Sequence, residues 1–271
     1  MVKDFTFLIT KDIVETLQLK YNIDLTREQI SKIREVENGF VAEFWQLSGI
    51  PEDIDRKAIG AAELSDELGG LLRRSDAKIV SLDRVYVPQA AAFLEVTRKT
   101  DPTTGNAVGV IERPKSKPLQ EQIEDLKQYS QIALADVGSF EGKTILEISA
   151  LIEKEGIRIN EIYLAISNNA ASETINGNKK LQFVNGFNLF EWVELRDLIG
   201  IDGRNIGIKN GIRQYLPYWE NLVGWASVEK GKEEDVAKLC RRYNEKLLEI
   251  LGKDTEFLAE RIGIPVQLMR R

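Results

Sequence analysis

The chain has 271 residues, a formal net charge of −6 and 43% hydrophobic residues. That is the balance of a folded domain or a pair of small ones, and it argues against a dedicated nucleic-acid surface, which carries a basic excess. It holds no histidine and one cysteine, Cys240, which excludes Ser-His-Asp and Cys-His nucleophilic sites, HExxH zinc hydrolases, thiolate zinc sites and internal disulfides. Any catalysis therefore rests on Asp, Glu, Lys, Arg, Tyr or backbone groups, and any metal is a hard ion held by carboxylates and by the ligand, with Mg²⁺ the best fit. No stretch approaches the roughly 20 apolar residues of a membrane span. The N-terminus lacks the apolar core and small-residue cleavage site of a signal peptide, so a cytoplasmic protein without membrane partners is expected.

Residues 1–75 read as mostly helical. Asp24 or Thr26 is placed to cap a helix through Arg27–Glu37, which Asn38 and Gly39 interrupt. Phe40, Phe44, Trp45 and Leu47 follow as an apolar cluster. A second helix spans Asp53 to Leu72, acidic at its start and followed by Arg73 and Arg74, as the helix dipole favours.

The pattern changes at Ala77. Ala77–Val87 is rich in β-branched residues and reads as a strand, whereas Ala90–Arg98 fits a short helix or a strand equally well. Asp101–Asn106 (DPTTGN) is a turn signal, and Ala107–Ile111 returns from it as a short strand. Residues 98–118 also carry Arg98, Lys99, Arg113, Lys115 and Lys117. They describe either a solvated hairpin or a loop that folds over an anionic ligand.

Leu119–Tyr129 reads as a helix and Ile132–Val137 as a buried strand. Lys143–Glu155 is an amphipathic helix closed by Gly156, and Ile157–Ser167 is another strand. Strand, helix and strand at that length make a βαβ unit, so the sheet is at least partly parallel and ligands are expected at its carboxyl edge. Residues 168–190, polar and rich in Asn and Gly, read as a loop or hairpin. Glu233–Leu251 is the clearest helix, with Cys240 on its apolar stripe as a core residue and Gly252 closing it. Residues 254–271 add a short helix. The expected fold is α/β, a mostly parallel sheet flanked by helices. It divides into an N-terminal helical extension (1–75), an α/β core (76–231) and C-terminal helices packed on that core (232–271).

The chemistry concentrates in Gln131–Thr144, QIALADVGSFEGKT. A buried strand runs into an acid, two glycines and a helix start, where backbone N–H groups and the positive end of the helix dipole converge on any anion. Three readings compete. Gly142-Lys143-Thr144 matches the end of a nucleotide P-loop, but Gly138 and Gly142 are one residue too close, and Glu141 puts a negative charge into the phosphate nest. A plain βαβ turn, with the glycines for tight turning and Asp136 for capping, needs no ligand at all.

The third reading is a resemblance. An apolar strand, an acid, a short loop and then Gly-x-Thr opening a helix resembles the diphosphate-sugar loop of the type I phosphoribosyltransferases. In that family two adjacent acids hold the ribose hydroxyls and the turn that follows binds the 5′-phosphate. The strand at Ile79–Val87 lies where the family has its pyrophosphate loop, and residues 98–118 lie where it has a mobile catalytic loop; the resemblance covers residues 77–170. It implies a phosphoribosyltransferase-like fold that binds phosphoribosyl pyrophosphate or a nucleotide with Mg²⁺, with room for a homo-oligomer. Asp136 would face the ribose and organise the metal. Gly138, Ser139, Gly142, Lys143 and Thr144 would bind phosphate, while Arg113 and Lys115, with Lys117, would neutralise departing pyrophosphate. The chain departs from the pattern in two places. Without a gap, Val137 stands on the second acid; with one inserted residue, Ala135 stands on the first. Glu141 replaces a hydroxyl residue in either alignment. The alternative is therefore a non-catalytic binding or regulatory protein on the same fold.

A second charged group, Glu194, Arg196, Asp197, Asp202 and Arg204 beside Trp192, reads as surface ion pairs followed by a turn. Its functional alternative is a base or partner site with Trp192 stacking. Pro217, Tyr218, Trp219 and Trp225 offer further stacking surfaces that are more often core.

Overall fold

The structure is a computed structural model that describes residues 5–101, 107–113, 115–176, 179–199, 201, 204–209, 212–216, 219 and 226–252. In chain order the elements begin with β1 (Phe5–Lys11), α1 (Ile13–Glu15) and a helical turn at Thr16–Lys20. Next come α2 (Arg27–Leu47), β2 (Asp55–Gly60), α3 (Ala61–Leu72), β3 (Lys78–Ser81), β4 (Ala92–Phe93), β5 (Val96–Thr100) and β6 (Ala107–Glu112). The middle of the chain holds α4 (Leu119–Glu124) with a 3₁₀ turn to Gln128, β7 (Gln131–Ser139), α5 (Lys143–Lys154), β8 (Arg158–Asn168), α6 (Asn169–Ile175) and β9 (Lys180–Phe187). Then follow β10 (Leu189–Glu194), α7 (Leu195–Leu198), β11 (Arg204–Lys209), β12 (Ile212–Leu216) and α8 (Glu233–Leu251).

By contact, the chain forms two compact units built from separated segments: 1–60, 99–108 and 191–271 in the first, 61–98 and 109–190 in the second. The boundaries expected from the sequence lie at 75/76 and 231/232.

In the first unit, β1 lies between β10 and β2. Its run Phe7–Thr10 is buried on both faces, as the central strand of a covered sheet must be. β2 pairs with it in parallel, Thr6 opposite Asp55 through Lys11 opposite Gly60. The segment expected to be helical thus supplies two strands, because Asp55–Gly60 has no period of its own and the neighbouring strand decides its state. α2 starts at a capping box, Thr26 accepting the Gln29 N–H at 3.2 Å and Gln29 accepting the Thr26 N–H at 2.9 Å. It runs straight through Asn38 and Gly39, correcting the expected break. A glycine there costs about 1 kcal/mol, but burial of Phe40, Val41 and Phe44 returns about 1.5–3 kcal/mol each for the large side chains. A Cβ on Gly39 would stand 2.8 Å from the Tyr243 hydroxyl, so the glycine also lets α8 approach. Phe40 stacks on Phe44 at 5.8 Å and meets Tyr243 edge-on at 5.4 Å. α8 itself keeps its expected bounds, with Cys240 buried and Gly252 at φ +59° closing it.

The second unit is a five-stranded sheet of order β4-β3-β7-β8-β9, parallel at every pairing. The α/β class with a mostly parallel sheet flanked by helices is therefore what the chain adopts. Alternation along β7 and β8 splits the sheet's faces. Ile132, Leu134, Ile162 and Leu164 join Ile145, Ile148 and Ile152 of α5 in one core. Ala133, Ala135 and Tyr163 point the other way, and α3 packs across β8 and β9. Within residues 168–190, expected as a loop or hairpin, α6 and β9 form a second βαβ step with β8. The Asn168 carboxamide caps α6 by accepting the Ala171 N–H at 2.7 Å. Seven residues of helix are too few to show a period, which is why the pattern was illegible. The strand expected over Ala77–Val87 stops at Ser81. There the Ser81 hydroxyl accepts the Asp83 N–H at 3.1 Å, and the Asp83 carboxylate accepts the Val85 N–H at 2.8 Å. Such local side-chain bonds turn the backbone out of the ladder. Also in the first unit, β11 and β12 pair antiparallel, and Asn205 of β11 bridges Lys99 in parallel.

Candidate functional site

The stretch singled out in the sequence lies in the second unit, on β7 and α5. β7 continues past its expected end, with Gly138 bridged to Ile166 and Ser139 to Ser167. Asp136 and Gly138 therefore belong to the strand, and the connection to α5 is Phe140–Gly142 alone. This corrects the expected strand end at Val137 and takes Gly138 out of the turn. A turn that short does not wrap a phosphate chain as a P-loop does.

Within the turn, Gly142 is buried at φ +75° and forms the N-cap of α5. A Cβ there would meet Ile175 Cγ1 at 2.9 Å, so position and conformation both demand glycine. The Ser139 hydroxyl accepts the Gly142 N–H at 2.9 Å. The N-cap is a glycine and brings no side chain to the helix start, so the N–H groups of the first turn, including those of Lys143 and Thr144, lie at the positive end of the helix without a cap from that residue. Asp136 is half-buried, and its Oδ1 accepts the Val137 N–H at 2.8 Å. Val137, at the second acid's position in the ungapped alignment, is 4% exposed and part of the interior. Lys143 and Glu141 are exposed and paired with each other.

Asp136, Gly138, Ser139, Gly142, Lys143 and Thr144 thus lie on one continuous strand, turn and helix. Arg113 and Lys115 lie on the separate segment after β6, Lys115 exposed at φ +63°. Lys117 is engaged by Asp125 at 2.7 Å. The segment is anchored at its root. Gln122 accepts the Glu95 N–H at 2.7 Å and donates to the Lys117 carbonyl at 2.6 Å, while the Arg113 N–H donates to the Glu95 carbonyl at 2.8 Å. Farther out, the Val110 N–H donates to Glu147 of α5 at 3.1 Å. The strand leading to Arg113 and Lys115 is therefore tied to the helix that the turn opens.

One residue escaped the sequence reading. Arg84, just past the end of β3, is stacked over Phe93 at 3.8 Å and braced by Glu95 through Nε at 3.0 Å and Nη2 at 2.8 Å. β3 is the neighbour of β7 in the sheet, so this guanidinium stands at the same carboxyl edge as the turn. Its signal, an Asp-Arg pair closing an apolar run, was hidden inside the strand expected to reach Val87.

The second charged group lies in the first unit and is not at the surface. Arg196 is 3% exposed and Asp12 fully buried; Asp12 accepts the Arg196 backbone N–H at 3.0 Å and faces its Nε at 3.3 Å, while Glu194 meets Arg196 Nη2 at 2.6 Å. Burial pushes the Asp12 carboxyl well above the ordinary range, against the pull of Arg196. Trp192 donates its indole N–H to Thr10 at 3.3 Å. Surface ion pairs were expected because the partner, Asp12, lies far away in sequence. Trp219 is buried. Asp202, Pro217, Tyr218, Trp225 and residues 254–271 lie outside the described residues, as does the Arg204 side chain.

No family model matches the chain, and no curated protein is similar to it. Among solved structures it is similar to an adenine phosphoribosyltransferase from Thermoanaerobacter pseudethanolicus, at 12% identity and a TM-score of 0.34 over 46% of this chain and 79% of that one. It is similar to an orotate phosphoribosyltransferase from Aeropyrum pernix at 15% identity and a TM-score of 0.29, over 46% and 69%. For the UMP synthase of Leishmania donovani the figures are 12% and 0.29, over 67% and 33%. The α/β assignment rests on the sheet itself. Among the described residues no group of three or more acids or cysteines is placed to hold a metal, and no helix is long and apolar enough to cross a membrane.

Proposed function

We propose that the turn Phe140–Gly142, with Asp136 before it and the first turn of α5 after it, binds the phosphorylated ribose of phosphoribosyl pyrophosphate or of a nucleotide. The observation that carries this is the uncapped start of α5 at a left-handed glycine, placed at the carboxyl end of an inner strand of a parallel sheet. Ligands of such sheets bind at that edge, and phosphate suits an open helix start. The amides of Lys143 and Thr144 would take the 5′-phosphate, and Asp136 the ribose face. Arg84 adds a braced guanidinium for a second phosphate, and Arg113 and Lys115 add charge from the segment tied to α5.

Mg²⁺ fits this donor set only as a ligand-borne ion. A single carboxylate, Asp136, serves a cation that keeps waters and takes its other oxygens from phosphates. When bound, the ion would neutralise the diphosphate. The chain's own groups would hold the ribose still, keep water from its C1, and meet the negative charge that gathers on pyrophosphate as the C1–O bond breaks. Glycosyl transfer is thus the reaction this site could serve. The buried Val137 and the Glu141–Lys143 pair favour a second reading, a protein that binds the same ligand without turning it over.

Calorimetry with phosphoribosyl pyrophosphate and Mg²⁺ tests the proposal. Heat from the wild-type protein that disappears in Asp136→Ala is the expected result. Absence of heat with both this ligand and ATP would sink it, and ATP binding alone, lost in Lys143→Ala, would point to a P-loop-like site. Production of pyrophosphate separates the enzyme from the binder.

A further inference from the structure

We propose that Phe140 and Phe190 are positioning residues of the phosphate turn, holding its backbone in the ligand-ready form before any ligand arrives. For its ligand this rests on the reading above; for the order of the turn it does not.

A short strand-to-helix turn has to be held by something. The usual device, a cap from the N-cap side chain, is absent at α5 because that residue is Gly142. Two restraints act on the last residue of the turn: the Ser139 hydroxyl takes the Gly142 N–H, and Ile175 fills the space above Gly142. The first residue is restrained differently. The Phe140 ring lies on Phe190 at a centroid distance of 4.6 Å and an interplanar angle of 12°. Phe190 is buried and is backed by Phe187 at 5.4 Å and 29°, so the surface that Phe140 rests on is itself fixed. With both ends held, Glu141 and the first amides of α5 have little left to choose. Order that exists beforehand need not be created when phosphate binds, and it appears as affinity. An aromatic pair of this kind corresponds to about two- to twelve-fold in an equilibrium.

The experiment uses the full chain and three variants. Phe140→Ala removes the ring, Phe140→Leu keeps apolar bulk without a stacking face, and Phe140→Tyr keeps the ring. Hydrogen exchange of residues 139–144 is measured without ligand, the dissociation constant for phosphoribosyl pyrophosphate with Mg²⁺ by calorimetry, and global unfolding in urea. The inference expects exchange and dissociation constant to rise together, about two- to twelve-fold in the Ala and Leu variants, with the Tyr variant close to wild type. The urea midpoint should move little in the Leu variant, which separates positioning from general stability. Unchanged exchange in Phe140→Leu overturns the inference, as does faster exchange with unchanged affinity. If the wild-type protein binds no ligand, the functional reading fails, and the exchange measurement still decides whether the stack orders the turn.

Discussion

Each unit places an aspartate at or near the carboxyl end of a strand whose parallel partner follows through a helix: Asp12 after β1 in one unit, Asp136 on β7 in the other. The local grammar is the same and the outcomes are opposite. Asp12 is sealed, because Arg196 meets it from below 5% exposure, and α1, which follows it, is tied to α2 by Glu37 accepting the Ile13 N–H at 2.9 Å. Asp136 is half-buried beside a turn whose helix has no side-chain cap. Asp12 is buried and paired within the interior, whereas Asp136 keeps part of its surface beside the start of a helix. That contrast makes the second unit the place to look for function.

The largest expected effect tests the sealed end. Arg196→Met leaves Asp12 buried without its cation, which should lower the unfolding free energy by about 3–5 kcal/mol, measured by urea denaturation. A loss below 1 kcal/mol would mean the cluster is not sealed. At the open end, Gly142→Ala places a Cβ 2.9 Å from Ile175 and an alanine at φ +75°, so a loss of about 1–3 kcal/mol is expected. Ile175→Ala removes the clash but opens a cavity of its own, so the cost of Gly142→Ala is read again in the Ile175→Ala background, where what remains of it is the backbone strain.

A third test uses pH. Burial raises the Glu37 carboxyl above its ordinary value, despite Arg34 and the Ile13 N–H. With the folded value above the unfolded one, the folded chain holds the proton over the interval between them. This contribution is fully present below the unfolded pKa and lost as pH climbs through the raised one. Urea titrations across the acidic range should show that decline, flatter in Glu37→Gln, which keeps an acceptor for the Ile13 N–H. Thr26→Ala should cost about 1 kcal/mol as the loss of a capping box. Smallest of all, Lys143→Ala should change stability by less than about 0.5 kcal/mol, because its pair with Glu141 is exposed. A larger change would show that the open turn depends on this ion pair.

Local signals were legible where a segment carries its own instructions. α8 shows an apolar stripe from Val236 to Leu251 and a glycine to stop it, and α5 shows the same with Gly156 at φ +83° beyond its end. The strand, acid and glycine order from Ile132 to Gly142 likewise showed both a βαβ unit and a phosphate-friendly turn. The errors fell where a distant neighbour decides. β2 is a strand because β1 lies alongside, and β9 because β8 does. α2 survives Asn38 and Gly39 because α8 packs there. Arg84 was missed because side-chain bonds at Ser81 and Asp83 end β3 early.

The sequence by itself determined what chemistry is allowed and which turn could carry it. Residue types set the available acids, bases and ligands, and spacing along a helix or strand sets local shape. Only the tertiary structure decided which charges are buried. Asp12 and Arg196 are far apart in the chain, and the desolvation that separates a structural pair from a working one is a property of the assembled interior.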